Sequence, residues 1–255
     1  MDNLIMTFAI VCPLIFLASF IDAVAGGGGL VSLPAFLLAG MPPHMALGTN
    51  KVVMPTGTLI ATVNYLRGGK MQMKVAVYSA IGALIGGGLG SRLILFVPEE
   101  AFKIIILVAL PLVAIFIATQ KNFGSDDSVM KELPHVRIAV YSLLIGLFIG
   151  FYDGMVGPGT GTFLILAYTK VFNLDLVTSS GCAKLANLTS NIASAIVLSL
   201  AGQVMWIVVA PAVVCAMVGG RIGSSYAMKG GSKNVRKVIY VVLVLLIIKF
   251  LTELL

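Results

Sequence analysis

Of 255 residues, 59% are hydrophobic and only 11% charged, less than half the charged share of an ordinary soluble chain. That excludes a water-soluble globule, which cannot hide so much apolar surface, and leaves little chain for any soluble domain. The net charge of +7 is spread over short loops rather than gathered on one dense basic face. It reads as the cytoplasmic Lys/Arg bias of a multi-pass protein of the cell (inner/plasma) membrane, not as a nucleic-acid footprint.

Ten apolar segments are expected, at about 4–24, 29–40, 44–66, 72–96, 100–119, 135–153, 159–172, 176–200, 205–228 and 234–254. Eight are long enough to cross a bilayer. The second and seventh are not, since a dozen helical residues cover about 18 Å of a roughly 30 Å hydrocarbon core. Ala23-Val24-Ala25 looks like a signal-peptidase site, but Met1-Asp2-Asn3 carries no positive charge, so the first segment is read as a retained helix. Cys12, Cys182 and Cys215 lie in apolar segments without metal spacing and read as packing residues. The stretch 120–134 is the longest polar one and separates a first transmembrane repeat, 1–119, from a second, 135–255.

Three blocks recur in order. Phe20-Ile21-Asp22-Ala23-Val24-Ala25-Gly26-Gly27-Gly28-Gly29 matches Phe151-Tyr152-Asp153-Gly154-Met155-Val156-Gly157-Pro158-Gly159-Thr160 at an offset of 131. At an offset of 133, Gly48-Thr49-Asn50-Lys51 matches Gly181-Cys182-Ala183-Lys184, and the glycine run from Gly86 to Ser91 matches Gly219 to Ser224. Charge then orients the repeats. The loop with Arg67, Lys70 and Lys74 is basic, whereas its counterpart near Gln203 is uncharged. Lys229, Lys233, Arg236 and Lys237 make the loop after the ninth segment basic, and its counterpart holds Arg92 beside Glu99 and Glu100. Equivalent loops therefore fall on opposite sides. The expected fold is an all-α integral membrane protein of two inverted repeats, five segments each, with both termini outside.

Chemistry is expected at the two glycine breaks. Gly26, Gly27, Gly28 and Gly29 in one half, and Gly157, Gly159, Thr160 and Gly161 in the other, free backbone amides that lipid does not tolerate unless they line a protected cavity. A helix starting at such a break points N–H groups and a positive dipole end at the cavity, which suits an anion; the alternative is that the glycines only allow close helix crossing. Lys51 and Lys184 lie at matched positions, Lys51 about 10 Å below the surface by helical rise. They read as binders of an anionic group, with Asn50, Asn187 and Asn191 as uncharged donors. Asp22 and Asp153 either pair with the lysines or carry protons. Gly82, Gly86 and Gly90 read as a close-packing face, and His44 and His135 are given no role.

Ile21-Asp22-Ala23-Val24-Ala25-Gly26-Gly27-Gly28-Gly29-Leu30, Gly48-Thr49-Asn50-Lys51, and the repeat from Gly154 to Gly161 leading into Lys184 resemble the sulfite exporter TauE/SafE family, also called the 4-toluene sulfonate uptake permease family. The resemblance covers nearly the whole chain. It implies movement of small anions, often sulfite or organosulfonates, through about eight spanning helices. Two features depart from symmetry: Pro158 sits within the second break, and Cys182-Ala183 stands where the first half has Thr49-Asn50, so the half-sites are not equivalent. With no ATP-binding signature, no cofactor or metal motif and no Ser/His/Asp constellation, the expectation is a secondary transporter rather than an enzyme. The alternative is a passive anion or small-solute channel. The expected partners are a small anion and the lipid bilayer, with a homo-oligomer also allowed.

Overall fold

A computed structural model describes residues 2–119 and 130–254; the centre of the expected linker, from 120 to 129, lies outside the described residues. The described chain is helical, without strands: α1 (Asp2–Ala25), α2 (Gly29–Leu38), α3 (Pro43–Arg67), α4 (Met73–Ile94), α5 (Glu99–Thr119), α6 (His135–Met155), α7 (Thr160–Phe172), α8 (Leu176–Leu200) and α9 (Trp206–Leu254). The ninth and tenth expected segments both lie within α9, as two helices joined at a kink. They meet at Gly231, whose φ of 60° and ψ of −157° are non-helical and divide one helix from the next. That backbone region is essentially reserved for glycine.

Local chemistry sets the other boundaries. Pro43 opens α3 at the first turn, where its missing N–H costs nothing. Asp175 caps α8, its carboxylate accepting from the amides of Val177 and Thr178 at 2.9 Å. Gly26, at φ 78°, and its repeat equivalent Gly157, at φ 93°, end α1 and α6. The first break is shorter than its glycine run: Gly28 has already returned to helical angles, and α2 begins at Gly29.

The molecule is inside-out relative to a soluble protein. Leu84, Leu89, Ile104, Leu112, Phe148, Ile196, Val214 and Ile222 lie exposed, while Asp22, Lys51, Asp153 and Lys184 are at most 5% exposed. Five stretches are long and apolar enough to cross a membrane: Thr7–Ala25, Met73–Ile94, His135–Met155, Leu176–Leu200 and Trp206–Val241. These properties make it a multi-pass membrane protein. The 25-residue α3 has the length but not the apolarity, because its Thr49, Asn50, Lys51, Thr58 and Thr62 are buried against protein rather than facing outward.

Stretches before and after the linker interleave. α1 packs along α9 and α4 along α6, while α3 and α8 lie against each other at the centre. Contacts come in pairs related by the sequence offsets. The Met205 amide donates to Thr49 Oγ1 at 3.0 Å, as the Gln72 amide does to Cys182 Sγ at 3.3 Å. Gly48 presses on the Gln203 carbonyl, and Gly181 on that of Lys70. Gly86 and Gly90 meet Leu147 and Phe151, as Gly219 and Gly223 meet Phe16 and Phe20. Apolar packing forms two clusters. Ala18 belongs to one, Ile21 and Val24 to the other, so Asp22 falls at their seam. On α8, Asn187 and Asn191 stand between Ala186 of one cluster and Leu198 of the other.

Candidate functional site

At that seam the two helix breaks touch. Gly26 lies backbone to backbone against Gly161, and Gly29 against Pro158, contacts that a side chain on either glycine would obstruct. Thr162 Oγ1 donates to the Ala25 carbonyl at 2.9 Å, tying the start of α7 to the end of α1. The first turns of α2 and α7 therefore meet at one place, and first-turn amides have no partner within their own helix.

The end of α1 is fully capped. A helix ending in the interior strands its last carbonyls, and each here has a side-chain donor. Lys184 Nζ donates to the Asp22 carbonyl, Tyr65 Oη to that of Ala23 at 2.9 Å, Ser180 Oγ to that of Val24 at 3.2 Å, and Thr162 to that of Ala25. Sequence reasoning did not single out Tyr65 or Thr162. The carbonyls' need is visible in the glycine run, but the donors come from distant helices. The equivalent end of α6 is more lightly held, with Ser91 Oγ on the Gly154 carbonyl at 3.1 Å and Ser190 Oγ on that of Gly150 at 3.3 Å.

The four charges form two ion pairs, each crossing between the repeats. Lys51 Nζ is 2.8 Å from Asp153 Oδ1, and Lys184 Nζ is 3.0 Å from Asp22 Oδ2. The second carboxylate oxygen of Asp153 accepts from Ser190 Oγ at 2.7 Å; Thr58 Oγ1 adds a longer bond, 3.3 Å, to Asp22 Oδ2. Thr58 was not among the residues that the sequence singled out. The pairs differ in one respect: Lys184 is fully enclosed and spends two donors on Asp22, whereas Lys51 borders a cavity.

That cavity is lined by Asp22, Gly26, Gly29, Asn50, Lys51, Asp153, Gly157, Thr160, Gly161, Asn187 and Asn191, together with Met54, which the sequence did not suggest. Gly27, Gly28, Gly159 and Lys184 are not in its lining. Gly28 is instead pressed against Ala18 and Asp22 of α1, and Gly159 sits as the left-handed cap of α7. The volume, 20 Å³, suits about one water molecule. An oxyanion with three or four oxygens enters only if the surrounding helices separate. Asn50 Oδ1 is buried with no hydrogen-bond partner among the described residues. Asn191 Nδ2 donates to both the carbonyl and Oδ1 of Asn187, at 2.7 and 2.8 Å, which fixes that side chain's orientation.

A larger cavity of 550 Å³ lies between α2, the start of α3 and α5, lined by Pro34, Leu38, Met41, Ile106 and Leu110, with Glu99 and Lys103 at its margin. Its lining is mostly apolar, and its two charged residues, Glu99 and Lys103, are of opposite sign. His44 lies near it in a structural role, bonded to the Ile94 carbonyl at 3.0 Å and packed on Phe102.

Comparison with known proteins covers nearly the whole chain. The family described as sulfite exporter TauE/SafE matches residues 11–250. A probable membrane transporter protein, ORF9, of Sinorhizobium sp. is 34% identical over 93% of this chain and 90% of its own. One from Haemophilus influenzae is 34% identical over 94% and 93%, and the probable membrane transporter protein YfcA of Escherichia coli 31% over 93% and 87%. No solved structure matches.

Proposed function

Because the chain belongs to the sulfite exporter TauE/SafE family of membrane transporters, we propose that it is a secondary transporter of small anions, sulfite or organosulfonates, working by alternating access between two inverted halves, 1–119 and 135–255. One observation carries this reading: the starts of α2 and α7 and the ammonium of Lys51 converge on a single buried cavity. Helix starts and a cation at one point favour a negative ligand. Asn50 and Asn187 border the same space and supply amide donors.

The paired contacts between repeats support a two-fold relation, and the loop charges support its inverted sense. In such an arrangement each conformation has an alternative of similar packing, related to it by exchanging the roles of the two halves, which is what a carrier needs. The cavity's small volume favours a carrier over a channel, since an open channel needs a continuous wet path. Counterflow in sealed vesicles decides between them. A carrier preloaded with unlabelled methanesulfonate or sulfite draws in the labelled anion transiently above its external level. Plain equilibration without overshoot supports the channel, and no movement of either anion refutes the anion site.

A further inference from the structure

We propose that one proton accompanies each monoanion through this site and that Asp153 carries it; the inference rests on reading the cavity as an anion site. The buried charges around the cavity are Asp22, Asp153, Lys51 and Lys184, which sum to zero among the described residues. A bound monoanion leaves one negative charge uncompensated, and an uncompensated charge in a dry interior is strongly unfavourable. A positive co-ion removes the imbalance. A metal cation needs several oxygens and its own space. Among the described residues no three His, Cys, Asp or Glu side chains stand together to hold one. A proton needs one carboxylate lone pair and no volume.

The two carboxylates are not equally free to take it. Asp22 is held by Lys184 through both its side chain and its carbonyl, and by Thr58. Releasing Lys184 also uncaps α1. Among the described residues Asp153 is held by the side chains of Lys51 and Ser190, and Lys51 has three N–H donors with one ion-pair bond among them. When an anion oxygen accepts from Lys51, the Asp153 Oδ1 bond to Lys51 breaks, and the carboxylate takes a proton from water, forming an O–H bond. The site then holds Lys51 with the anion, Asp22 with Lys184, and a neutral Asp153. On the opposite side that O–H bond breaks, the proton returns to water, and the restored carboxylate reclaims Lys51 and displaces the anion. Ser190 Oγ serves both forms, since a hydroxyl donates to a carboxylate and accepts from an acid.

Every charged or titratable group facing Asp153 enters this balance. Lys51 comes from α3, with Asp22 of α1 beyond it, and Tyr152 neighbours it on its own helix with its hydroxyl on the Pro158 carbonyl. From α8 the contact is Ser190, and from α4 Ser91 reaches the adjoining Gly154 carbonyl; neither is charged.

The test uses proteoliposomes and radiolabelled methanesulfonate, a permanent monoanion that brings no titrating proton of its own. With the membrane potential clamped at zero, an inside-alkaline gradient should accumulate it about tenfold per pH unit at steady state, as one proton per anion requires. A potential or a sodium gradient alone should accumulate none. In Asp153→Asn the distribution should instead follow the potential and ignore pH, because a fixed positive site now carries the anion. Accumulation driven by potential or sodium in the native protein overturns proton coupling, and an Asp153→Asn ratio that still follows pH overturns the assignment to Asp153. If that variant does not fold, Ser190→Ala replaces it. Losing a donor to the ionised carboxylate should move the midpoint of pH-driven uptake to higher pH, and an unmoved midpoint refutes Asp153 as the carrier. Absence of counterflow with both methanesulfonate and sulfite refutes the anion site itself, whereas counterflow without pH-driven accumulation refutes only the coupling.

Discussion

Lys51 on α3 and Asp153 on α6 stand 2.8 Å apart at the point where the two helix breaks meet. Lys184 and Asp22 repeat that relation in reverse, at 3.0 Å. Each lysine therefore reaches the carboxylate of the other repeat rather than its own. Such crossed pairing couples any movement of one repeat to the charges of the other, since separating the halves separates both pairs.

The contact between the breaks leaves no room at Gly26. A Cβ there would enter the Gly161 backbone, and the φ of 78° adds strain for any L side chain. Gly26→Ala should lower the folded yield and the melting temperature in detergent, by the equivalent of about 3 kcal/mol or more. Gly88→Ala is the control: it lies mid-helix, and its Cβ would meet only Ala193 Cβ, at 3.8 Å. Helix propensity should then stabilise the protein by up to about 1 kcal/mol. Equal melting temperatures for the two variants would contradict the packing described.

Asn50 holds a buried oxygen without a partner, which costs stability in the unliganded protein. Asn50→Leu should raise the unliganded melting temperature, by the equivalent of about 1 kcal/mol, and shrink the further rise that added sulfite produces in the native protein. A variant that is less stable but binds unchanged would show that Asn50 serves packing and not the ligand.

The proposed inversion of the repeats has a direct readout. Gly69 and Gly202 occupy equivalent loops, and an added side chain at either meets nothing within 4 Å. In a background without the three native cysteines, Gly69→Cys should resist an impermeant thiol reagent in intact cells, whereas Gly202→Cys should react. Equal labelling at both would place the loops on the same side and refute the inversion.

Much of this arrangement is legible in the sequence because repetition marks it. Asp22 and Asp153, Lys51 and Lys184, and the two glycine runs recur at nearly constant offsets, and charge is too costly in lipid to lie at matched depth by accident. The partner of each lysine is not legible, since it depends on how α3 and α8 cross. Two of the caps on α1 are hidden for the same reason: Tyr65 and Thr162 are ordinary residues until the fold carries them to freed carbonyls. The division between the ninth and tenth segments is legible as well, and it falls at Gly231, whose non-helical angles separate the two parts of α9.

The central claim is that Lys51, not Lys184, receives the anion. Both are buried and both hold a carboxylate, so loss of stability alone does not separate them: removing either strands a partner at about 3–5 kcal/mol. Equilibrium binding of radiolabelled sulfite to purified, folded protein does. Lys51→Ala should raise Kd at least tenfold, about the 1.5 kcal/mol of one charge-assisted hydrogen bond, and Lys51→Arg should not restore it fully, because the forked guanidinium is larger than the cavity allows. Lys184→Ala combined with Asp22→Asn, which keeps the buried charge at zero, should, in whatever fraction folds, bind with a Kd within about threefold of the native value, a difference under 1 kcal/mol. Native affinity in Lys51→Ala, or a loss confined to the double variant, would contradict the account.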